Sequence, residues 1–184
     1  MLSIKKILVP TDFSDGSALA VGYALSLAKD HGAEVIAVHA ISSKAIKPFS
    51  EPYLAGGVGS AGEAPIAIAR QPNLENLFES RKQVLHNFLE QRIAPELLRA
   101  VKITPLIRLG KVVDEIVSAA KEVQSDVIVM TSQASRLRRL FVGSFTERVI
   151  RRAPCPVLTI LPSAGVRTDK DERVPVRLID RWAA

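Results

Sequence analysis

The sequence predicts an α/β domain: a doubly wound, five-stranded parallel sheet in the order 3-2-1-4-5 with helices on both faces. Three observations lead there. Short, nearly unbroken apolar runs alternate with longer stretches of 3.6-residue periodicity. Such runs suit strands buried on both faces, as in a parallel sheet covered by helices. One of them contains Pro105, which cannot donate a ladder bond, so that strand belongs at an edge. Right-handed crossovers complete the winding.

The elements follow in order. Lys6–Pro10 is a short buried strand, and Ser14 to His31 a helix with Ala20, Tyr23, Ala24 and Leu27 on one stripe and Gly32 as its stop. Glu34–Ile41 is the second strand. The second helix runs from about Asn73 to Ile93, with Leu74, Leu77, Phe78, Leu85, Phe88 and Leu89 at helical spacing, and Ala94-Pro95 breaks or restarts it. Val101–Leu109 is the third strand, Lys111–Val123 the third helix and Asp126–Met130 the fourth strand. Ser144–Arg152 is the fourth helix, and Val157–Leu161, bracketed by Pro156 and Pro162, is the last strand.

Two segments stand outside this pattern. Ser42–Pro72 holds four of the ten glycines and four of the eleven prolines, too long and too punctuated for an ordinary connection. It is expected to be disordered or only partly ordered. The tail from Ser163 to Ala184 is charged up to Arg173, then turns amphipathic over Val174–Trp182 and carries the only tryptophan. It is expected to dock, on its own domain or on a partner subunit. The organisation is therefore a domain over residues 1–162, with residues 42–72 as an insertion, and an extension over 163–184.

Composition narrows the function. A chain of 184 residues with 47% hydrophobic positions is long enough to bury a core without metal or disulfide staples. The single cysteine, Cys155, makes no intrachain bridge, which excludes a disulfide-framed secreted scaffold. No apolar run reaches the ~18–20 residues of a membrane span, and Asp12 closes the first apolar stretch too early for a signal peptide. A cytoplasmic location is expected, with no membrane partner. The net charge of +6 is concentrated between Arg136 and Arg152, where six arginines face one acid, Glu147. Phosphate, an acidic partner or an ordinary solvated helix face would each account for it. Nucleic acid fits less well: the only aromatics there, Phe141 and Phe145, are expected in the core, which leaves no stacking platform.

Catalysis is not indicated. His31, His39 and His86 lack metal-pair spacing and read as structural or surface residues, and Cys155 reads as a small buried hydrophobe without a base. No nucleophile elbow, P-loop or Gly-x-Gly-x-x-Gly occurs. A doubly wound sheet binds ligands outside the carboxyl ends of its strands, where the winding reverses. Residues 10–14 and 130–144 should line that crevice. Asp12 could accept hydrogen bonds from a ribose hydroxyl or an adenine amino group, although Thr11, Asp12 and Ser14 are also suited to hold the free amides of the first helix. Ser144 and Glu147 form a capping box behind Gly143, a helix start suited to phosphate.

Taken in order, Val9-Pro10-Thr11-Asp12-Phe13-Ser14, Gly110, Asp126-Val-Ile-Val-Met130, Gly143-Ser144-Phe145-Thr146-Glu147-Arg148-Val149 and Ala153-Pro154-Cys155-Pro156-Val157 resemble the universal stress protein family over residues 1–162 apart from the insertion. The resemblance implies a cytoplasmic α/β domain that dimerises, often by pairing last strands across a two-fold axis, here Val157–Leu161. Some members bind ATP or related adenine nucleotides and others do not. In binders a Gly-x2-Gly-x9-Gly-(Ser/Thr) loop follows the fourth strand. Here Met130 and Gln133 stand where its first two glycines would fall, or the loop is one residue short if Met130 precedes it. Only Gly143-Ser144 matches.

By resemblance, Asp12 and the Ala40 backbone would hold adenosine, with Pro10, Thr11, Met130 and Thr131 around them, while Gly143, Ser144 and Phe145 would hold phosphate. Without glycines a loop cannot easily adopt positive φ or bring its amides close to phosphate. Arg136, Arg138 and Arg139 would have to compensate. The first expectation is therefore a regulatory stress-response module acting through dimerisation and protein contacts, without an assured cofactor. The alternative is an ATP- or AMP-dependent switch, with magnesium. A weak ATP hydrolase ranks third, because no positioned base or metal set supports it.

Overall fold

A computed structural model describes residues 3–43, 74–132 and 145–160 of the chain. Its five strands are β1 (Lys6–Pro10), β2 (Glu34–Ser42), β3 (Ile103–Gly110), β4 (Val127–Thr131) and β5 (Val157–Ile160). They form one parallel sheet in the order β3-β2-β1-β4-β5, as the sequence predicts. Pro105 lies on the edge strand, opposite Ala37 of β2. β1 is central, with Ile7, Leu8 and Val9 fully buried.

Helix α1 (Asp15–His31) opens on Ser14, whose Oγ accepts the Ser17 amide at 3.2 Å. It ends at Gly32, whose φ of 64° is the left-handed conformation that glycine adopts without a Cβ penalty. Its buried face is wider than the four-residue stripe read from the sequence. Ala18, Ala20, Val21, Ala24 and Leu25 are fully buried, while Tyr23 and Leu27 sit at the margin. Small side chains let this helix lie close to the sheet and to its neighbouring helices at once.

Proline restarts the second helix, giving α2 (Leu74–Arg92) and the short α3 (Pro95–Ala100). Helices α1 to α3 cover one face, with Leu85, Phe88, Leu89 and Ile93 joining Val9, Val35 and Val129 in a single cluster. Helices α4 (Val112–Glu122) and α5 (Phe145–Ile150) cover the other, over Leu8, Ile36, Val38, Ile128 and Met130. Each fully buried Leu or Ile contributes about 1.5–3 kcal/mol, so these two apolar layers dominate the fold's stability.

Boundaries differ from expectation by a residue or two, for local reasons. β3 begins at Ile103, whose pairing with Val35 is flanked by the bond from the Val35 amide to the Lys102 carbonyl at 2.9 Å. β4 begins at Val127, and the Asp126 carboxylate accepts the Lys5 and Lys6 amides at 2.7 and 2.8 Å. Phe145 corrects an expectation outright: it is 38% exposed rather than in the core, since Thr146 and Val149 form the buried side of α5. Cys155 is partly buried against the α4–α5 side of the core, with its Sγ 3.4 Å from Ser125 Oγ. Among the described residues no helix is long and apolar enough to cross a membrane. Ser42, expected to open the insertion, is instead the last residue of β2, which runs one residue further than the apolar pattern predicts; residues 44–72 and the tail fall outside the described residues.

Candidate functional site

The chain leaves β1 at Pro10 and turns into α1 within four residues, and hydrogen bonds fix that turn. Thr11 donates its amide to the Val38 carbonyl at 2.9 Å, which prolongs the β1–β2 pairing by one residue. Its buried hydroxyl donates to Ser17 Oγ at 3.0 Å and accepts the Phe13 amide at 3.1 Å. Asp12 Oδ1 accepts both the amide and the hydroxyl of Ser14, at 3.1 and 2.5 Å. The three candidate caps therefore each take one backbone amide: Thr11 from Phe13, Asp12 from Ser14, Ser14 from Ser17.

These bonds leave the Asp12 side chain ionised and exposed at the carboxyl end of the central strand. Burial opposes the charge, yet the Ser14 hydroxyl and amide, with the Ser17 hydroxyl, outweigh it and hold the carboxyl below its ordinary value. Carboxylate oxygens have several lone pairs, so a ligand hydroxyl or amino group can still be received.

Thr131 closes the far side. A Cβ built on Gly16 would stand 3.1 Å from Thr131 Oγ1 and 3.6 Å from Ser14 Oγ, so the first turn of α1 packs directly on the end of β4. Glycine permits that approach. Pro10, Thr11, Asp12 and Thr131 thus lie around one junction between β1, β4 and α1. Ala40 is half-buried two residues beyond Val38, where β2 outruns β1. Met130 points elsewhere: its side chain is 3% exposed in the core beneath α4 and α5, leaving only its backbone for the crevice. Gly143, Ser144, Arg136, Arg138 and Arg139, the expected phosphate half, lie outside the described residues. Phe145 opens α5 with its ring partly in solvent.

Two further side chains meet at this junction, Phe13 within the span 10–14 and His39, read from the sequence only as a structural or surface residue. Phe13 has a φ of 65°, unusual for a residue with a Cβ. Its ring stacks on His39 with centroids 4.2 Å apart and meets Phe88 edge-on at 5.6 Å. His39 Nδ1 is 2.9 Å from the Thr11 carbonyl, and a carbonyl only accepts, so Nδ1 carries the proton. Burial pushes the His39 pKa down; the Thr11 bond pulls it up, the Arg81 charge down again, and Asp12 up. The available signal was strand periodicity: His39 shares a face with Val35 and Ala37, the face that α1 and α2 cover. Among the described residues no His/Cys/Asp/Glu group is arranged to hold a metal. His86, by contrast, meets Glu90 at 3.2 Å on the exposed side of α2.

Comparison with known proteins agrees with this architecture. A universal stress protein of Methanocaldococcus jannaschii is 34% identical over 157 residues, covering 85% of this chain and 81% of the relative. A second protein of that archaeon is 31% identical over 160 residues, and its solved structure matches with a TM-score of 0.59 over 87% of this chain and 97% of its own. At the level of fold alone, a universal stress protein from Archaeoglobus fulgidus in complex with dAMP matches at 21% identity and a TM-score of 0.52, covering 86% of this chain and 99% of that one. The family model described as the universal stress protein family matches residues 3–160. With the sheet order, the Thr11–Ser14 turn and this match in place, the chain belongs to the universal stress protein family.

Proposed function

We propose that the protein is a cytoplasmic stress-response module that regulates through dimerisation and protein contacts, pairing with a second copy along the strand Val157–Leu161. One observation carries this reading. Among the described residues β5 pairs only with β4, its own Leu158 is 45% exposed, and Ile150 at the end of α5 is 50% exposed. An open strand edge flanked by apolar side chains is a template for strand pairing. Light scattering should give the mass of two chains, and Leu158→Arg should shift it to one. A single-chain mass for the unmodified protein at high concentration overturns the reading.

A second reading, an adenine-nucleotide switch, is favoured by the exposed, ionised Asp12 beside Thr131 at the reversal of the sheet, and by the dAMP complex of a protein with this fold. The glycine-free stretch Thr131-Ser132-Gln133-Ala134-Ser135 weighs against it. Mass spectrometry of denatured, freshly purified protein decides. Released ATP or AMP, with affinity lowered by Asp12→Ala and Ser144→Ala, would establish it. No released nucleotide, and no change in melting with ATP and magnesium, would remove it.

A further inference from the structure

One helix face continues beyond what the described residues bury. On α2, Leu74, Leu77, Phe78 and Arg81 precede Leu85, Phe88 and Leu89 at three- and four-residue steps, so all seven lie on one side of the helix. The last three are 0%, 8% and 7% exposed. Leu74 is 45% exposed, Val84 at the border of the stripe 40%, and Leu77 and Phe78 are only half-buried. The burial stops where the sheet does. Phe88 touches Phe13 at the carboxyl end of β1, and Arg92 is ion-paired with Asp15, the first residue of α1. The first three turns of α2 therefore carry an apolar stripe out from that end of the sheet.

We infer that this stripe is the seat of the protein's own C-terminal segment, Val174–Trp182. The chain leaves β5 at Ile160, at the same carboxyl end, and Ile160 packs against the cluster that α2 completes. The tail thus departs from the right end and the right face. From Ile160 to Val174 are fourteen residues, a reach of about 46–50 Å when extended. Crossing four strand spacings takes only about 19 Å, and the helix from Leu85 to Leu74 rises about 16 Å more. The tether is ample. Val174, Val176, Leu178, Ile179 and Trp182 crowd five large apolar side chains into nine residues, interrupted by Arg177, Asp180 and Arg181. A stripe of two leucines and a phenylalanine needs a partner of this composition.

Trp182 is the only tryptophan, so its fluorescence reports on this contact alone. In the full chain its quenching by acrylamide should be several-fold weaker than that of free tryptophan, and independent of protein concentration. Leu77→Asp should raise quenching to the free value, and Asn76→Ala, on the opposite side of α2, should leave it unchanged. Leu74→Glu, at an exposed position, keeps the test open if Leu77→Asp fails to fold. Full quenching of Trp182 in the unmodified chain overturns the inference. So does protection that survives both α2 substitutions, which places the tail elsewhere, or protection that appears only as the mass doubles, which assigns the stripe to a second copy.

Discussion

The imidazole of His39 lies flat against the ring of Phe13, centroids 4.2 Å apart, while its Nδ1–H is held by the Thr11 carbonyl. Burial against that ring disfavours the charged form, so the folded pKa falls below the usual 6.5. A group whose pKa is depressed on folding binds more protons in the unfolded chain. For histidine, its contribution is intact above the unfolded pKa and is lost as pH falls through the folded one. Urea midpoints should therefore decline from about pH 7 to about pH 5, and His39→Asn should flatten that decline. Asp12, Glu34 and Asp126 are all held below their ordinary values near 4 and titrate beneath this window. An equal slope in wild type and variant would show that His39 is as readily protonated folded as free.

Phe13 combines a useful ring with a costly backbone. At φ 65° a side chain with a Cβ is penalised by roughly 1–2 kcal/mol relative to glycine. Phe13→Ala removes the stacking on His39 and the contact with Phe88 but keeps the penalty. Phe13→Gly removes the ring and the penalty together. Both variants should be less stable than wild type, with Phe13→Gly about 1 kcal/mol the more stable of the two. Chemical denaturation measures the order. If alanine is the better substitute, the strain at this turn is negligible.

Much of this was legible in the chain, and the reason differs by element. Ile7-Leu8-Val9 and Val35-Ile36-Ala37-Val38 are apolar without alternation because both faces of a central strand are covered, and Pro105 marks an edge because no edge amide needs a partner. With right-handed crossovers, those two facts fit the order β3-β2-β1-β4-β5 that the sheet adopts. The Thr11–Ser14 caps were legible because local hydrogen bonding repeats from protein to protein. His39 reads as structural in the sequence, but its contacts do not show there, since they depend on the Phe13 ring from the turn after β1, which Phe88 of α2 meets in turn, brought together only by folding. Phe145 misled because hydrophobicity says that a side chain prefers burial, not that a six-residue helix has room for it on its inner side.

Gly16 sets how closely α1 approaches β4. A methyl there would stand 3.1 Å from Thr131 Oγ1, a distance that a small rotation of the threonine relieves. Gly16→Ala should accordingly be close to neutral, the helix preference for alanine offsetting the crowding. Gly16→Val adds bulk that the rotation cannot absorb, and should cost about 1–3 kcal/mol. Thr131→Ala should recover part of that loss in the double variant, measured as a coupling energy in a denaturation cycle. Strict additivity would mean that the two residues do not meet. Should nucleotide binding be established, Gly16→Val should also weaken it, because the junction that it fills adjoins Asp12.

The opposite end of the sheet is tied by Asp126, whose Oδ2 receives the amides of Lys5 and Lys6 across a sequence separation of 121 and 120 residues. The bond from Lys5, then that from Lys6, holds its carboxyl below the ordinary 3.8, against slight burial. Its contribution is present above that value and disappears as pH falls through the lower, folded one. The site is exposed, so Asp126→Ala should cost only about 1 kcal/mol near neutral pH. Asp126→Asn keeps an acceptor oxygen in place and should cost less, yet it removes the acid-side titration as completely as alanine does. Comparing urea midpoints at neutral pH with those near pH 3 separates the two effects. If asparagine and alanine lose the same stability at neutral pH, the charge rather than the pair of accepted amides joins the amino terminus to β4.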